Sequence, residues 1–170
     1  VGFPLPGVEV RLAEQSSEIE VRGPNVFGGY LDRPEANAEA FTSDGWFRTG
    51  DIGELDTDGY LSIVGRAKEL IITGGYNVYP REIEDVLYEH PKVMEAAAIG
   101  VPIGGTDQRA KVFIVPRPGE TASEEEMLEF CRERLAKFKV PRYVEFRKEL
   151  PKTMVGKILR RELMEEEKKR

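Results

Sequence analysis

The sequence is short of the residues that build redox and metal chemistry. It holds one cysteine, one histidine and one tryptophan in 170 residues. With Cys131 alone, no disulfide closes within the chain, and no Cys/His spacing of a metal site occurs. Cys131 falls in an apolar helical stripe with Met127, Leu128 and Leu135, and reads as a buried small hydrophobe. Apolar runs are only a few residues long, too short to cross a bilayer as a helix. The opening residues lack the charged-then-apolar pattern of a targeting signal, and a cytoplasmic location is expected. Excess positive charge is also missing. The net charge is −6, which argues against general nucleic-acid binding, though a local nucleotide site is compatible with it. There is no internal repeat.

What is present describes a folded chain. Hydrophobic residues make up 40% and charged residues 33%, too apolar a mixture for disorder. The length suits one ordinary domain, or a small domain plus part of another. The chain opens Val1-Gly-Phe-Pro-Leu-Pro-Gly, without methionine and directly into the approach to a strand. That opening reads as a piece of a longer protein.

The front third carries a β pattern. Val8 to Leu12 and Glu18 to Arg22 alternate apolar and polar residues, and the short link between them suits a hairpin. Arg33 to Phe41 reads as a short helix with proline in its first turn. Asp56-Thr-Asp-Gly59 signals a turn, and Tyr60 to Val64 a strand. Such a segment is too small to carry a substantial core unaided. Past Arg66 the texture changes. A helix is predicted from Pro80 to about His90, with Ile83, Val86 and Leu87 at helical spacing and Pro91 as its stop. Val93 to Val101 and Arg109 to Pro116 read as paired strands. Thr121-Ala-Ser-Glu-Glu-Glu offers a helix cap with acidic residues in the first turn. Arg142 to Phe146 is a further strand, and Ile158 opens a terminal helix.

Three phrases carry chemistry. In Arg48-Thr-Gly-Asp51 the glycine allows a sharp turn that presents a carboxylate, which suits the two adjacent hydroxyls of a ribose; a turn aspartate bonded to its own backbone is the plainer alternative. In Gly65-Arg-Ala-Lys-Glu-Leu-Ile-Ile-Thr-Gly-Gly-Tyr-Asn-Val-Tyr-Pro-Arg-Glu-Ile-Glu84, Arg66 offers a rigid fork of donors for sugar or phosphate oxygens, or a surface salt bridge. The glycine pair Gly74-Gly75, between a strand and a helix, fits neither the Walker pattern nor the dinucleotide fingerprint. In Leu150-Pro-Lys-Thr-Met-Val-Gly-Lys-Ile-Leu-Arg-Arg-Glu-Leu163, Gly156 aims the next side chain outward. Lys157 is then either an exposed structural lysine or a compact cation placed to enter a separate pocket.

In this order the three phrases resemble the C-terminal part of an acyl-CoA synthetase of the adenylate-forming (AMP-binding) superfamily, over essentially the whole chain. The resemblance implies an α+β protein: a β-rich, incomplete C-terminal subdomain of the large AMP-binding domain over residues 1–65, a hinge at 66–69, and a compact C-terminal α+β lid domain at 70–170. It implies that Asp51 holds the ATP ribose, that Arg66 contacts the nucleotide, and that Lys68 occupies the hinge position, which accepts lysine or aspartate. Rotation of the lid about that hinge would separate two half-reactions. Gly75 would line the pantetheine channel of CoA, and Lys157 would be the catalytic cation of adenylation. ATP/AMP, CoA and Mg2+ are the implied cofactors, with no metal ligand in this chain and Mg2+ bound mainly by the upstream domain.

Two departures matter. The family's phosphate loop and its Tyr-Gly-x-Thr-Glu motif do not occur in this sequence, and the acyl pocket belongs to the same upstream domain. The chain alone is therefore expected to be inactive. In Gly100-Val-Pro-Ile-Gly-Gly-Thr-Asp-Gln-Arg-Ala-Lys111, an acidic residue does not follow the proline, and Asp107-Gln108 stand where Gly-Glu is common. The basic run Leu135-Ala-Lys-Phe-Lys-Val-Pro-Arg142 either meets CoA phosphates or is a solvated turn. The leading expectation is an ATP-dependent acid–CoA ligase acting on a fatty acid. The alternatives are a malonate-type ligase, an adenylation domain serving a carrier protein, and a non-catalytic module that binds CoA or a partner.

Overall fold

The computed structural model describes residues 1–169, and its contacts divide the chain into two compact units, Val1–Lys68 and Glu69–Arg170. The first unit is an antiparallel meander of β1 (Glu9–Leu12), β2 (Glu18–Arg22), β3 (Phe47–Leu55) and β4 (Leu61–Arg66), with α1 (Pro34–Ala40) between β2 and β3. The strands β1 and β2 fall where the period-2 alternation places them. Its core is small: Ile19, Trp46, Ile52 and Leu61 are its buried apolar residues. Guanidinium groups of Arg11 and Arg22 lie 4.4 and 4.5 Å from the Trp46 ring centroid and cover it. Gly53 is required by packing, since a Cβ there would stand 2.6 Å from Ile19 and 3.1 Å from Leu61.

One expectation is corrected here. Arg48 to Asp51 do not form a turn; they lie within β3. Gly50 takes a φ of +75° inside the strand, a conformation open to glycine at no steric cost. Its amide donates to Glu18 Oε1 at 2.9 Å, beside a register shift between β2 and β3. The irregularity is a bulge, a feature that re-aims a side chain without ending the strand.

The second unit is built on a sheet of β7 (Val93–Gly104), β8 (Asp107–Pro116) and β9 (Tyr143–Phe146) in that order, with β8 and β9 parallel. A separate ribbon pairs β5 (Ile71–Thr73) with β6 (Tyr76–Val78). Three helices complete the unit: α2 (Pro80–Tyr88), α3 (Glu124–Arg134) and α4 (Arg160–Glu167). Pro80 opens α2, as its fixed φ allows. A reciprocal capping box of Ser123 and Glu126 opens α3. The terminal helix begins at Arg160, not Ile158, because Ile158 bridges Lys152 in an extended pairing.

Both faces of the sheet are covered. Ala96, Ala98, Ala110, Val112 and Ile114 pack with Ile83, Leu87, Met127 and Cys131 on one side. Ala97, Ile99, Phe113 and Val115 pack with Leu150 and Leu163 on the other. Strands buried on both faces read as continuous apolar runs rather than alternations. Cys131 is buried, as the helical stripe implies, and burial pushes its thiol up to about 11.

The outer edge of β7 leaves an amide in need of a partner, and α2 supplies it: Ala98 N donates to Glu84 Oε1 at 2.8 Å. Arg160 of α4 then closes on the same carboxylate with bonds of 3.0 and 2.6 Å, and on Glu69 at 3.2 Å. The Glu84 side chain is only 6% exposed. Removing one partner of such a pair leaves an uncompensated charge, at a cost of about 3 kcal/mol or more. Glu84→Ala is therefore expected to lower the unfolding free energy in urea by that amount. The double variant Glu84→Ala/Arg160→Ala should lose less than the sum of the two single losses.

Candidate functional site

In the first unit, the structure brings two of the expected residues together. Asp51 and Arg66 are cross-strand partners on β3 and β4, and Arg66 Nε lies 3.0 Å from Asp51 Oδ1. Asp51 N in turn donates to Thr49 Oγ1 at 3.1 Å. The Gly50 bulge thus sets a carboxylate and a guanidinium side by side at the end of a hairpin. Arg66 is the more exposed of the two, at 62% against 21% for the Asp51 side chain. A carboxylate accepts from hydroxyls, and a neighbouring guanidinium donates to anionic oxygens. The salt bridge given as one reading of Arg66 is present, with Asp51 as its partner. Lys68, exposed, sits in a single 3-10 turn over Ala67–Glu69, and the first compact unit ends at Lys68.

The second unit holds Gly75 and Lys157. Gly74 and Gly75 form the two-residue loop of the β5–β6 hairpin, closed by the pair Thr73 and Tyr76. Their φ values of +58° and +83° match the type I′ turn that short hairpins prefer. The strand β6 after the turn has no counterpart in the sequence reading, which assigns no element between the glycines and the helix at Pro80. Three residues, Tyr76–Val78, are too few to declare a strand by periodicity.

Lys157 follows a second glycine turn. Thr153 N donates to Lys157 O at 2.8 Å, and Gly156 N to Thr153 O at 2.9 Å. Gly156 has a φ of +81°, so the segment is a hairpin loop with glycine at the bulge position. Its stems are anchored by the Lys152–Glu95 pair and by the Arg160 cluster. Met154 and Val155 at the tip are fully exposed. Lys157 is exposed as well, and its ammonium makes no hydrogen bond or ion pair with any described residue. An anchored stem thereby presents a cation that no described residue neutralises.

A cleft of about 970 Å³ opens beside the glycine turn, lined by Gly74, Tyr76, Phe138 and four cations: Arg109, Arg132, Lys137 and Arg142. Tyr76 stacks on Phe138 with ring centroids 4.6 Å apart. Arg132 is neutralised by Glu125 and Glu129. Arg109 is paired with Asp107. Lys137 and Arg142 make no ion pair with any described residue, so the cleft keeps a positive balance. Lys137 and Arg142 belong to the basic run marked in the sequence. Arg109 and Arg132 carried no signal there, because one lies on a strand and the other among the salt bridges of α3. Among the described residues, no group of three His, Cys, Asp or Glu side chains is placed to hold a metal ion, and no helix is long and apolar enough to cross a membrane.

These features belong to a known family. Residues 82–157 match the AMP-binding enzyme C-terminal domain, and the chain belongs to the adenylate-forming, AMP-binding enzymes, of which it corresponds to the C-terminal part. Among relatives, it is 47% identical to a long-chain-fatty-acid–CoA ligase of Escherichia coli O157:H7, over 98% of the chain and 31% of that protein. It is 47% identical to an oxalate–CoA ligase of Arabidopsis thaliana, over 90% of the chain and 30% of that protein. ATP-bound MatB from Rhodopseudomonas palustris has the same fold, with a TM-score of 0.90 and 41% identity over 98% of the chain and 35% of that structure's chain. The chain thus spans about a third of the length of the relatives it matches.

The positive φ at Gly75 yields a test that is independent of activity. A Cβ there would meet nothing within 4 Å, so only the backbone conformation resists substitution. Gly75→Ala is expected to cost about 1 kcal/mol, seen as a lower unfolding midpoint of this chain.

Proposed function

We propose that the chain is the C-terminal part of an ATP-dependent acid–CoA ligase acting on a fatty acid. The observation that carries this reading is the Lys157 ammonium on an anchored hairpin, without a partner among the described residues. In the first half-reaction a carboxylate oxygen attacks the α-phosphorus of ATP, and pyrophosphate leaves with the bonding electrons. Negative charge develops on the phosphoryl oxygens, where a preorganised cation lowers the barrier. Lys157 takes that role, and its lack of a partner means no ion pair must break first. Asp51 accepts from the ribose hydroxyls, and Arg66 donates to nucleotide oxygens while keeping the carboxylate oriented.

In the second half-reaction the CoA sulfur attacks the acyl carbonyl, and AMP departs. The Gly74–Gly75 turn lies beside the basic cleft, whose cations suit the phosphates of CoA and whose aromatic pair suits a flat base. A turn without side chains leaves the narrow passage that a pantetheine arm requires. The two half-reactions need different groups at one adenylate, and we assign the change to rotation about Lys68, with backbone torsions absorbed at a few residues. When bound, magnesium would neutralise phosphate charge, and we assign its ligands mainly to the remainder of the enzyme.

The fatty-acid assignment is supported by the ligases from Escherichia coli and Bacillus subtilis that share 47% and 46% of their aligned residues with this chain. In the complete enzyme, Lys157→Ala is expected to lower acid-dependent pyrophosphate exchange into ATP at least about a hundredfold. Thioester formation from preformed acyl-adenylate should be retained. Exchange at the wild-type rate in that variant would remove Lys157 from the mechanism. The 170-residue chain by itself is expected to catalyse no exchange with any acid from malonate to palmitate.

A further inference from the structure

The turn that carries Gly75 is weakly held by its own strands. β5 and β6 have three residues each and share three residue pairs. An isolated ribbon of two strands is marginal in water even when longer. Packing holds the ribbon at its flanks, through buried Ile71 and Val78 and the Tyr76–Phe138 stack, but neither Gly74 nor Gly75 has a packed neighbour where a Cβ would stand.

The β7–β8 hairpin fixes the turn itself. Gly74 N donates to Asp107 Oδ1 at 2.7 Å. Thr73 Oγ1 donates to the Gln108 carbonyl at 3.1 Å, and Ile72 N to Gln108 Oε1 at 3.2 Å. Of these bonds, only the first reaches a glycine of the turn. Asp107 is itself oriented from two sides: Gln108 N donates to Oδ1 at 3.1 Å, and Arg109 Nη1 to Oδ2 at 2.9 Å. The Gly74 amide holds the carboxyl below the usual carboxylate range; Arg109 adds to this, and partial burial opposes it. Asp107 stands in the loop that departs from the family pattern. A glycine at that position would have no side-chain oxygen to offer.

We propose that Asp107 is a positioning residue for the acyl-transfer step, fixing through Gly74 the turn past which the CoA thiol reaches the acyl-adenylate. This rests on the ligase reading above. Asp107 touches no reactant; it acts on the backbone that lines the passage. Its neighbour Arg109, paired with Asp107, lines the basic cleft, so one hairpin tip both holds the turn and borders the cleft assigned to the phosphate end of the same ligand. The bond needs an oxygen acceptor at Oδ1 and not a full charge, and asparagine can provide one.

The test uses the complete enzyme with Asp107→Ala and Asp107→Asn. For thioester formation from preformed acyl-adenylate, Asp107→Ala is expected to lower kcat/KM for CoA about tenfold, carried by KM, the loss expected for one bond to a charged acceptor. Asp107→Asn should stay within about twofold of wild type, and pyrophosphate exchange should be unchanged in both. Hydrogen exchange of the peptide spanning residues 71–79 should quicken in Asp107→Ala and not in Asp107→Asn. Wild-type kcat/KM in Asp107→Ala, or an equal fall in both half-reactions, would overturn the proposal. So would identical exchange of that peptide in all three proteins. If the wild-type enzyme forms no thioester, the ligase reading fails, and the exchange measurement alone decides whether Asp107 holds the turn.

Discussion

The second unit depends on how it treats the open edge of β7. A sheet edge presents amides and carbonyls that need partners, and an uncovered edge invites misplaced pairing. Here the Glu84 carboxylate takes the Ala98 amide, and Arg160 takes Glu84 and Glu69. Glu84 comes from the helix on one face of the sheet, and Arg160 from the helix that contributes Leu163 to the other. One ion cluster therefore joins both layers across the edge. Arg160 lies three residues beyond Lys157, so the same contact fixes the stem of the loop that carries the candidate catalytic cation. Stability and site geometry share one anchor.

The functional loops follow a common design. Each is a short hairpin with glycine at positive φ, tied to neighbouring elements by packing, hydrogen bonds or ion pairs. Gly156 presents Lys157, and Gly74-Gly75 present bare backbone. Glycine costs conformational entropy in folding, and that cost is offset by holding the stems and the turn from outside: Glu95 and Glu84 for one loop, Asp107 and Gln108 for the other. The bulge at Gly50 in β3 serves the same end in the first unit, where it sets Asp51 beside Arg66 without breaking the strand.

The comparisons separate shared chemistry from substrate choice. Nearly equal identity links this chain to a ligase named for long-chain fatty acids and to one named for oxalate. Acids so different in size and polarity call for different pockets, whereas adenylation and thiol transfer call for the same cations and turns. Asp51 and Arg66, Lys157 and the Gly74–Gly75 turn are candidates for that shared chemistry and not for the choice of acid.

Much of the fold is legible in the sequence. Periodicity placed β1, β2, α2, β7, β8, α3 and β9 within a few residues, because each buries a face at its own repeat. The resemblance carried by the ordered glycine-bearing phrases named Asp51, Arg66, Lys68, Gly75 and Lys157 as candidates. The ribbon strand β6 and the bulge at Gly50 were not legible, since three residues carry no period and a bulge differs from a turn only in what pairs with it. Nor could the sequence join Glu84 to Arg160 or Asp107 to Gly74, which are 76 and 33 residues apart. The sequence by itself determined which groups are available and which backbone positions require glycine. Only the tertiary structure decided which charges meet and which stay free, because a carboxylate's partner is set by how distant elements pack around one sheet.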